Sequence, residues 1–181
     1  MRRGITGFLA SFVLIALLAG CSNNSNAYGS LEAEVVEGDL GSKAYIGVPY
    51  ERLLYSKTSK TFAWEEEETD TGISSDIRDR YEKLKNAAPG GYVVGETADD
   101  YFICISVEEK SSPREGFAIE SLSILQDHDR EAAALHVKVR PTEDIHIASY
   151  EGNVFVTSLV SIAKKDLPMD ARMNEITMTG S

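Results

Sequence analysis

The sequence predicts an α+β fold, in which a mainly antiparallel β-sheet carries one amphipathic helix packed on it. Two observations support this prediction. Between residues 72 and 90, apolar side chains recur at helical spacing. Elsewhere they fall in short runs that alternate with polar residues or are bounded by Gly and Pro, which is typical of strands. One helix among several short strands favours antiparallel pairing over repeated βαβ units.

Three strand candidates precede the helix. Residues 31–37 alternate apolar and acidic side chains, which is the period of a half-buried strand. Residues 44–48 form a short apolar segment closed by Pro49. Residues 58–68 are the third candidate, with Phe62 and Trp64 on one face. We interpret the acidic run 65–68 as a solvated strand end rather than a binding site.

The helix is the best-defined element of the sequence. Its apolar residues lie four, four and three positions apart and form one stripe: Ile73, Ile77, Tyr81 and Leu84. Ser74 or Ser75 is suited to cap its N-terminus, and Pro89-Gly90-Gly91 ends it. We expect the stripe to pack against the core rather than against a partner.

After the helix, the pattern predicts five strands and a frayed end. The strand candidates are residues 92–94, 101–107, 117–125, 134–139 and 154–162. The second of these is apolar almost throughout, which suits a central strand and makes Cys104 a buried small hydrophobe. Alternation breaks near Ser121, where we expect a bulge. Residues 169–181 have weak periodicity and are expected to fray, so the single domain spans residues 31–168.

Residues 1–20 are typical of a secretory signal peptide. Arg2 and Arg3 precede an apolar run over residues 5–19, which is shorter than the ~20 residues that cross a bilayer. The run ends in Leu18-Ala19-Gly20-Cys21, which resembles a bacterial lipobox. The resemblance implies cleavage before Cys21 and attachment of a diacylglycerol to its thiol. The alternative is an ordinary signal peptide followed by a chance cysteine.

Residues 21–30 predict a flexible tether, because they are uncharged and almost free of apolar side chains. We expect two acyl chains to hold the mature protein on a membrane that it does not span. The domain then faces outside the cytoplasm in the bacterial envelope. The sequence fits both the outer face of a Gram-positive membrane and the outer membrane of a Gram-negative cell.

Charge and motifs exclude several function classes. The sequence has 18 Lys+Arg against 29 Asp+Glu, a net charge of -11, and phosphate binding requires clustered Lys and Arg. We therefore expect no nucleic-acid partner. The common catalytic and phosphate-binding spacings are missing. Asp127-His128-Asp129 is better explained as a turn than as a metal site, and His136 and His146 as exposed residues. We expect no catalytic residue, metal or cofactor, and hence no enzyme.

The second half of the sequence resembles a known family. Residues 101–107 match a leading strand, Glu109-Lys110 and Gly116-Phe117 match the two ends of the turn after it, and residues 118–122 and 136–141 match the next strands. Over roughly residues 62–167, the chain is similar to the PrcB family of bacterial lipoproteins and protease-complex subunits. Its turn is longer than the family's, and Glu115 stands in place of a glycine.

The resemblance implies a non-enzymatic accessory domain, because one type of family member assists a surface protease complex. We therefore expect a lipid-anchored extracytoplasmic interaction domain with a secreted or surface protease as its partner. The partner docks either on the edge strands or on the turn, in which Lys110, Pro113, Gly116 and Phe117 are the candidate partner-binding residues. The alternative is a protease inhibitor that acts through the turn at residues 110–117.

Overall fold

The computed structural model describes residues 44–67, 72–126, 133–144, 147, 150–167 and 173–180. Within these ranges the chain forms nine strands, one α-helix and one short 3-10 helix, Lys164–Asp166. The strands and the α-helix are β1 (Ala44–Gly47), β2 (Glu51–Thr58), β3 (Ala63–Glu67), α1 (Ser75–Glu82), β4 (Gly90–Glu96), β5 (Asp100–Ser106), β6 (Glu115–Gln126), β7 (Ala133–Glu143), β8 (Phe155–Ala163) and β9 (Met173–Thr179).

The strands form two sheets that pack face to face. The four-stranded sheet has the order β1-β6-β7-β9, and the five-stranded sheet has the order β3-β2-β8-β5-β4. The described pairings are antiparallel except that of β7 with β9. Ile103 and Val156 of the five-stranded sheet share one interior cluster with Leu122 and Val137 of the four-stranded sheet. The predicted fold class is confirmed, with its strands divided into two layers.

Helix α1 packs on the outer face of the five-stranded sheet. Ser74 caps it, because its side-chain oxygen accepts a hydrogen bond from the N–H of Ile77 at 3.4 Å. Ile77 and Tyr81 are buried in a second apolar cluster, so the predicted core stripe is confirmed. The α-helix ends at Glu82, before the predicted stop, because Leu84 N–H bonds back only three residues to the Tyr81 carbonyl.

The sequence pattern misses strand β2. Instead of one strand over residues 58–68, the chain has the end of β2, a turn, and then β3. Strand β2 lies between β3 and β8, and both of its faces are covered. Leu54 belongs to the cluster under the helix, whereas Tyr55 belongs to the cluster between the sheets. A strand buried on both faces loses the polar alternation by which strands are recognised.

Two predictions about the later strands are confirmed. Strand β5 is an interior strand between β8 and β4, and its Cys104 is completely buried. The ladder between β6 and β7 shifts register between Ile119 and Ser121, which is the bulge expected near Ser121.

The C-terminal segment contains a strand, so the expectation that residues 169–181 fray is wrong for Met173–Thr179. These residues form β9 and pair in parallel with β7. Ile176 packs so closely over Gly91 of β4 that a Cβ at position 91 would lie 2.9 Å from the Ile176 Cβ. The domain therefore continues beyond residue 168. This edge strand is held by backbone hydrogen bonds to β7. Because such bonds do not require alternating apolar side chains, the sequence pattern does not predict the strand.

The predicted signal peptide at residues 1–20, the predicted lipidation site Cys21 and the predicted tether at residues 21–30 lie outside the described residues. The same holds for the strand candidate 31–37, the triplet 127–129 and His146. Across the described part of the chain, no helix is long and apolar enough to cross a membrane.

Candidate interaction site

A buried lysine lies beneath the turn at residues 110–117. Lys57 on β2 has no exposed surface, and a buried charge is costly unless it is paired. Its Nζ donates hydrogen bonds to the carbonyl oxygens of Pro113 at 2.5 Å and Glu115 at 2.9 Å, and it forms an ion pair with Asp144. Two hydrogen bonds and one ion pair therefore surround the ammonium group, which holds the turn from below.

Asp144, directly after β7, connects the turn before β6 to the end of β7, the strand that pairs with β6. Its N–H donates to the carbonyl of Arg114 at 2.6 Å. Its carboxylate oxygen Oδ2 is buried and meets Lys57 as an ion pair rather than as a directed hydrogen bond. Each charge neutralises the other, so removing one partner would leave a buried charge without compensation.

Gly116 is where the turn approaches the core most closely. A Cβ at this position would lie 2.7 Å from Asp144 Oδ2 and 3.0 Å from Thr142 Oγ1, and closer still to the Tyr55 hydroxyl. The next residue, Phe117, donates its N–H to that hydroxyl at 3.0 Å. Burial raises the pKa of Tyr55, so the hydroxyl stays neutral. A glycine is required at 116 because the space of a side chain is already filled.

Hydrogen bonds also hold the turn from within and from its first residue. The Glu115 N–H donates to the Ser112 carbonyl at 3.1 Å, and Lys110 and Val154 exchange two backbone hydrogen bonds of 2.9 Å. Ser111 Oγ donates to the Glu115 carboxylate at 2.5 Å. Both ends of the turn are therefore fixed to the sandwich, and its tip is closed on itself.

Three of the four candidate partner-binding residues are buried. Pro113, Gly116 and Phe117 are buried and Lys110 is half-buried, so three of the four hold the turn in place instead of facing solvent. The exposed residues at the tip are Ser111, Arg114 and Glu115. The part of the turn that faces solvent is therefore its outer side.

Sequence reasoning locates the turn but not the residues that anchor it. Lys57 and Tyr55 belong to β2, the strand that the pattern misses, and Asp144 lies 87 residues after Lys57. The one local sign in the sequence is that Lys57 lies within the run from Leu53 to Thr58, which forms a buried strand. The pairing with Asp144 exists only because the two sheets pack together, so no spacing in the sequence could identify it.

A second polar network lies on the other face of the five-stranded sheet, beneath α1. Glu65 on β3 accepts hydrogen bonds from Ser56 at 2.9 Å and Lys85 at 2.5 Å, and pairs with Arg78. Burial alone would raise the pKa of Glu65, but these hydrogen bonds and the two cations lower it. The interpretation of residues 65–68 as a solvated end is therefore wrong for Glu65, because the helix folds over it.

The remaining candidates from the sequence are structural. Burial raises the pKa of the Cys104 thiol to about 12, so the thiol is inert at neutral pH. His136 is half-buried rather than exposed; its Nε2 lies 3.0 Å from Thr179 Oγ1 and its ring contacts Tyr45. Where residues are described, no group of three or more His, Cys, Asp or Glu side chains is arranged to hold a metal.

No protein-family model, curated protein or solved structure matches the chain. The resemblance to the PrcB family therefore stays a prediction from the sequence.

Proposed function

We propose that the chain is a non-enzymatic, lipid-anchored interaction domain of the bacterial envelope that docks on a partner protein through the turn at residues 110–117. A secreted or surface protease is the partner class that the sequence resemblance supports. The observation that carries the proposal is the anchoring of this turn on the fully buried Lys57. Burying a charge costs free energy. Here the buried ammonium group fixes the conformation of one surface turn.

A turn held in this way is suited to binding. Association normally costs about 0.5–1.5 kcal/mol for each rotamer-rich side chain that becomes immobilised, together with the cost of ordering loops. Lys57 and the Asp144 N–H donate hydrogen bonds to the turn, and the Tyr55 hydroxyl accepts one from it, so these bonds order the loop before a partner arrives. Arg114 is exposed on the tip, and arginine is enriched among the residues that dominate binding energy.

A lipid anchor at Cys21 would keep the interaction domain close to its partner. A diacylglycerol on Cys21 would hold the domain at the membrane surface. Residues 22–30 are uncharged, and a flexible segment of that length has a root-mean-square span of roughly 17 Å. The domain would then search for its partner close to the membrane instead of diffusing away from the cell.

Protease inhibition is the second candidate, because an inhibitory loop also benefits from being held in one shape. The Glu115 N–H bond to the Ser112 carbonyl favours the docking role. That bond makes the tip a tight turn, whereas recognition along a cleft commonly adds the ligand as an extended strand.

The test places a photo-crosslinking amino acid at Ser111 of the full chain, in the membrane fraction of the cells that make it. The matched control carries the same group at Asp79, which is exposed on α1. We expect one reproducible adduct from position 111, none of that mass from position 79, and loss of the adduct in Arg114→Glu. In Cys21→Ser, the chain should remain an uncut or mis-sorted precursor, and normal lipid labelling of this variant would refute the anchor.

Equal adducts at both positions, or none at 111, would refute docking through the turn. If the captured protein is a protease, its activity with and without the chain separates the two candidates. Unchanged or increased activity supports an accessory domain, whereas stoichiometric loss of activity, reversed by Arg114→Glu, supports an inhibitor.

A further inference from the structure

A cleft opens between the two sheets beside the turn. Its volume is about 210 Å³, and its wall is formed largely by Tyr50, Tyr55, Phe117 and Ile119, with Arg52 and Arg140 among the residues that line it. This cleft is separate from the exposed tip of the turn, because none of Ser111, Arg114 and Glu115 lines it.

The cleft lies along a stretch of β6 that no described strand covers on one edge. Among the described strands, β1 pairs only with residues 123–126 of β6 on that edge, so residues 117–119 lie outside this pairing. Two tyrosine hydroxyls bond to the backbone of this stretch. The Tyr55 hydroxyl accepts from Phe117 N–H at 3.0 Å, and the Tyr50 hydroxyl donates to the Ile119 carbonyl at 3.0 Å. The wall of the cleft is therefore held in place by hydrogen bonds.

The two charged residues that line the cleft are both arginines, in a chain whose net charge is -11. The Arg52 guanidinium lies over the Tyr55 ring, 5.7 Å from its centroid, and pairs with Glu66 at 3.5 Å. Arg140 is exposed at the rim. Burial raises the pKa of both Tyr50 and Tyr55, so neither phenol contributes a negative charge. The arginines set the sign of the site.

The volume of the cleft and the residues of its wall limit the kinds of ligand that it can bind. Sites for drug-sized ligands span about 300–1,000 Å³, so this cleft fits a smaller group, of the size of one aromatic or branched side chain. Its aromatic wall favours an apolar, planar body. A guanidinium is matched to the two oxygens of a carboxylate, which it binds through a pair of parallel hydrogen bonds.

We propose that this cleft binds a carboxylate carried on an apolar group of the size of one amino-acid side chain. Two sources present that chemistry: a free small acid, and the carboxyl-terminal residue of a protein chain. The proposal does not depend on docking through the turn.

The experiment titrates the purified full-length chain with phenylacetate, with N-acetylphenylalanine and with phenylacetamide, the neutral counterpart of phenylacetate. Binding is measured by calorimetry and by the fluorescence of Trp64. This residue is the single tryptophan of the chain, and its ring lies 6.1 Å from that of Tyr55. We expect saturable binding of at least one acid. The amide should bind at least tenfold more weakly than the acid, a difference of about 1.4 kcal/mol in binding free energy.

Two variants locate the site. Arg140→Gln removes the cation at the rim and should weaken binding of the acid at least tenfold, with folding unchanged because Arg140 is exposed. Lys138→Gln removes the same charge two residues away on β7, where Lys138 pairs with Glu120 at 3.3 Å, and should leave the affinity unchanged.

The arms also separate the two sources. Binding of N-acetylphenylalanine alone indicates a carboxyl-terminal residue as ligand, whereas equal or tighter binding of phenylacetate indicates a free acid. The proposal is overturned if neither acid binds at millimolar concentration, if acid and amide bind alike, or if Lys138→Gln weakens binding as much as Arg140→Gln does.

Discussion

The two faces of the five-stranded sheet each carry a buried polar network, and the networks differ in the number of charged partners that the central group has. Beneath α1, Glu65 is contacted by Ser56, Arg78 and Lys85. Between the sheets, Lys57 faces Asp144 as its single described counter-charge. The first network fastens a helix to a sheet through several interchangeable contacts, whereas the second sets the shape of one surface turn through a single charge.

Redundancy is visible in the cations on the helix side. Arg78 also pairs with Glu67 at 3.0 Å and with Glu82 at 3.7 Å, and Lys85 also pairs with Glu82 at 2.6 Å. Losing any one acid leaves both cations with a partner, and these groups retain contact with water. Each such pair contributes little on its own.

Replacing the buried cation should have the largest effect. Lys57→Met leaves the buried Asp144 Oδ2 uncompensated and two carbonyls without their donor, so we expect a loss of about 3 kcal/mol in the free energy of unfolding. Urea unfolding of the purified chain measures it, and hydrogen exchange should show faster exchange at Glu115 N–H. Lys60→Met makes the same chemical change at an exposed site, with an expected cost below about 0.5 kcal/mol. Equal losses in the two variants would contradict the anchoring role of Lys57.

A methyl group at position 116 should have the next largest effect. Gly116→Ala places a Cβ against the Tyr55 hydroxyl and Asp144 Oδ2. Neither atom moves freely, because the Tyr55 ring packs against Trp64 and Phe117 and Asp144 is held by Lys57. We expect a loss of about 2 kcal/mol, as for overpacking in a core. In a Tyr55→Phe background the same substitution should cost less, and a double-mutant cycle measures the coupling. Strict additivity would show that position 116 does not contact Tyr55.

The smallest effect is expected on the helix side. Glu65→Gln should cost about 1 kcal/mol at neutral pH, because Arg78 and Lys85 keep Glu82 as a partner. The pKa of Glu65 is lowered from its ordinary value of 4.5. Its charge therefore adds stability that is fully present above pH 4.5 and is lost as pH falls through the lowered value.

Acid unfolding checks the sign of this effect. Below pH 4.5 the parent chain should lose stability more steeply than Glu65→Gln, since the variant has no carboxylate to protonate at this position. Parallel curves for the two chains would mean that the Glu65 charge adds nothing to folding.

Much of the fold follows from local pattern. The helical stripe of Ile77 and Tyr81, the cap at Ser74 and the bulge near Ser121 are all confirmed, because each depends on residues within a few positions of one another. The elements that the pattern misses depend on distant residues. Strand β2 is covered on both faces by other elements, and β9 is held by backbone pairing with β7.

Local pattern in the sequence is enough to predict the α+β class, the helix, a turn before β6 and the burial of Cys104. What the turn residues do depends on how the two sheets pack. Lys57 and Asp144 meet because two sheets pack face to face, and that meeting places Pro113 and Gly116 inside and Arg114 outside. Local spacing encodes which face a side chain occupies on its own element. The partner that a buried charge finds 87 residues away is set by packing, and packing has no period in the sequence.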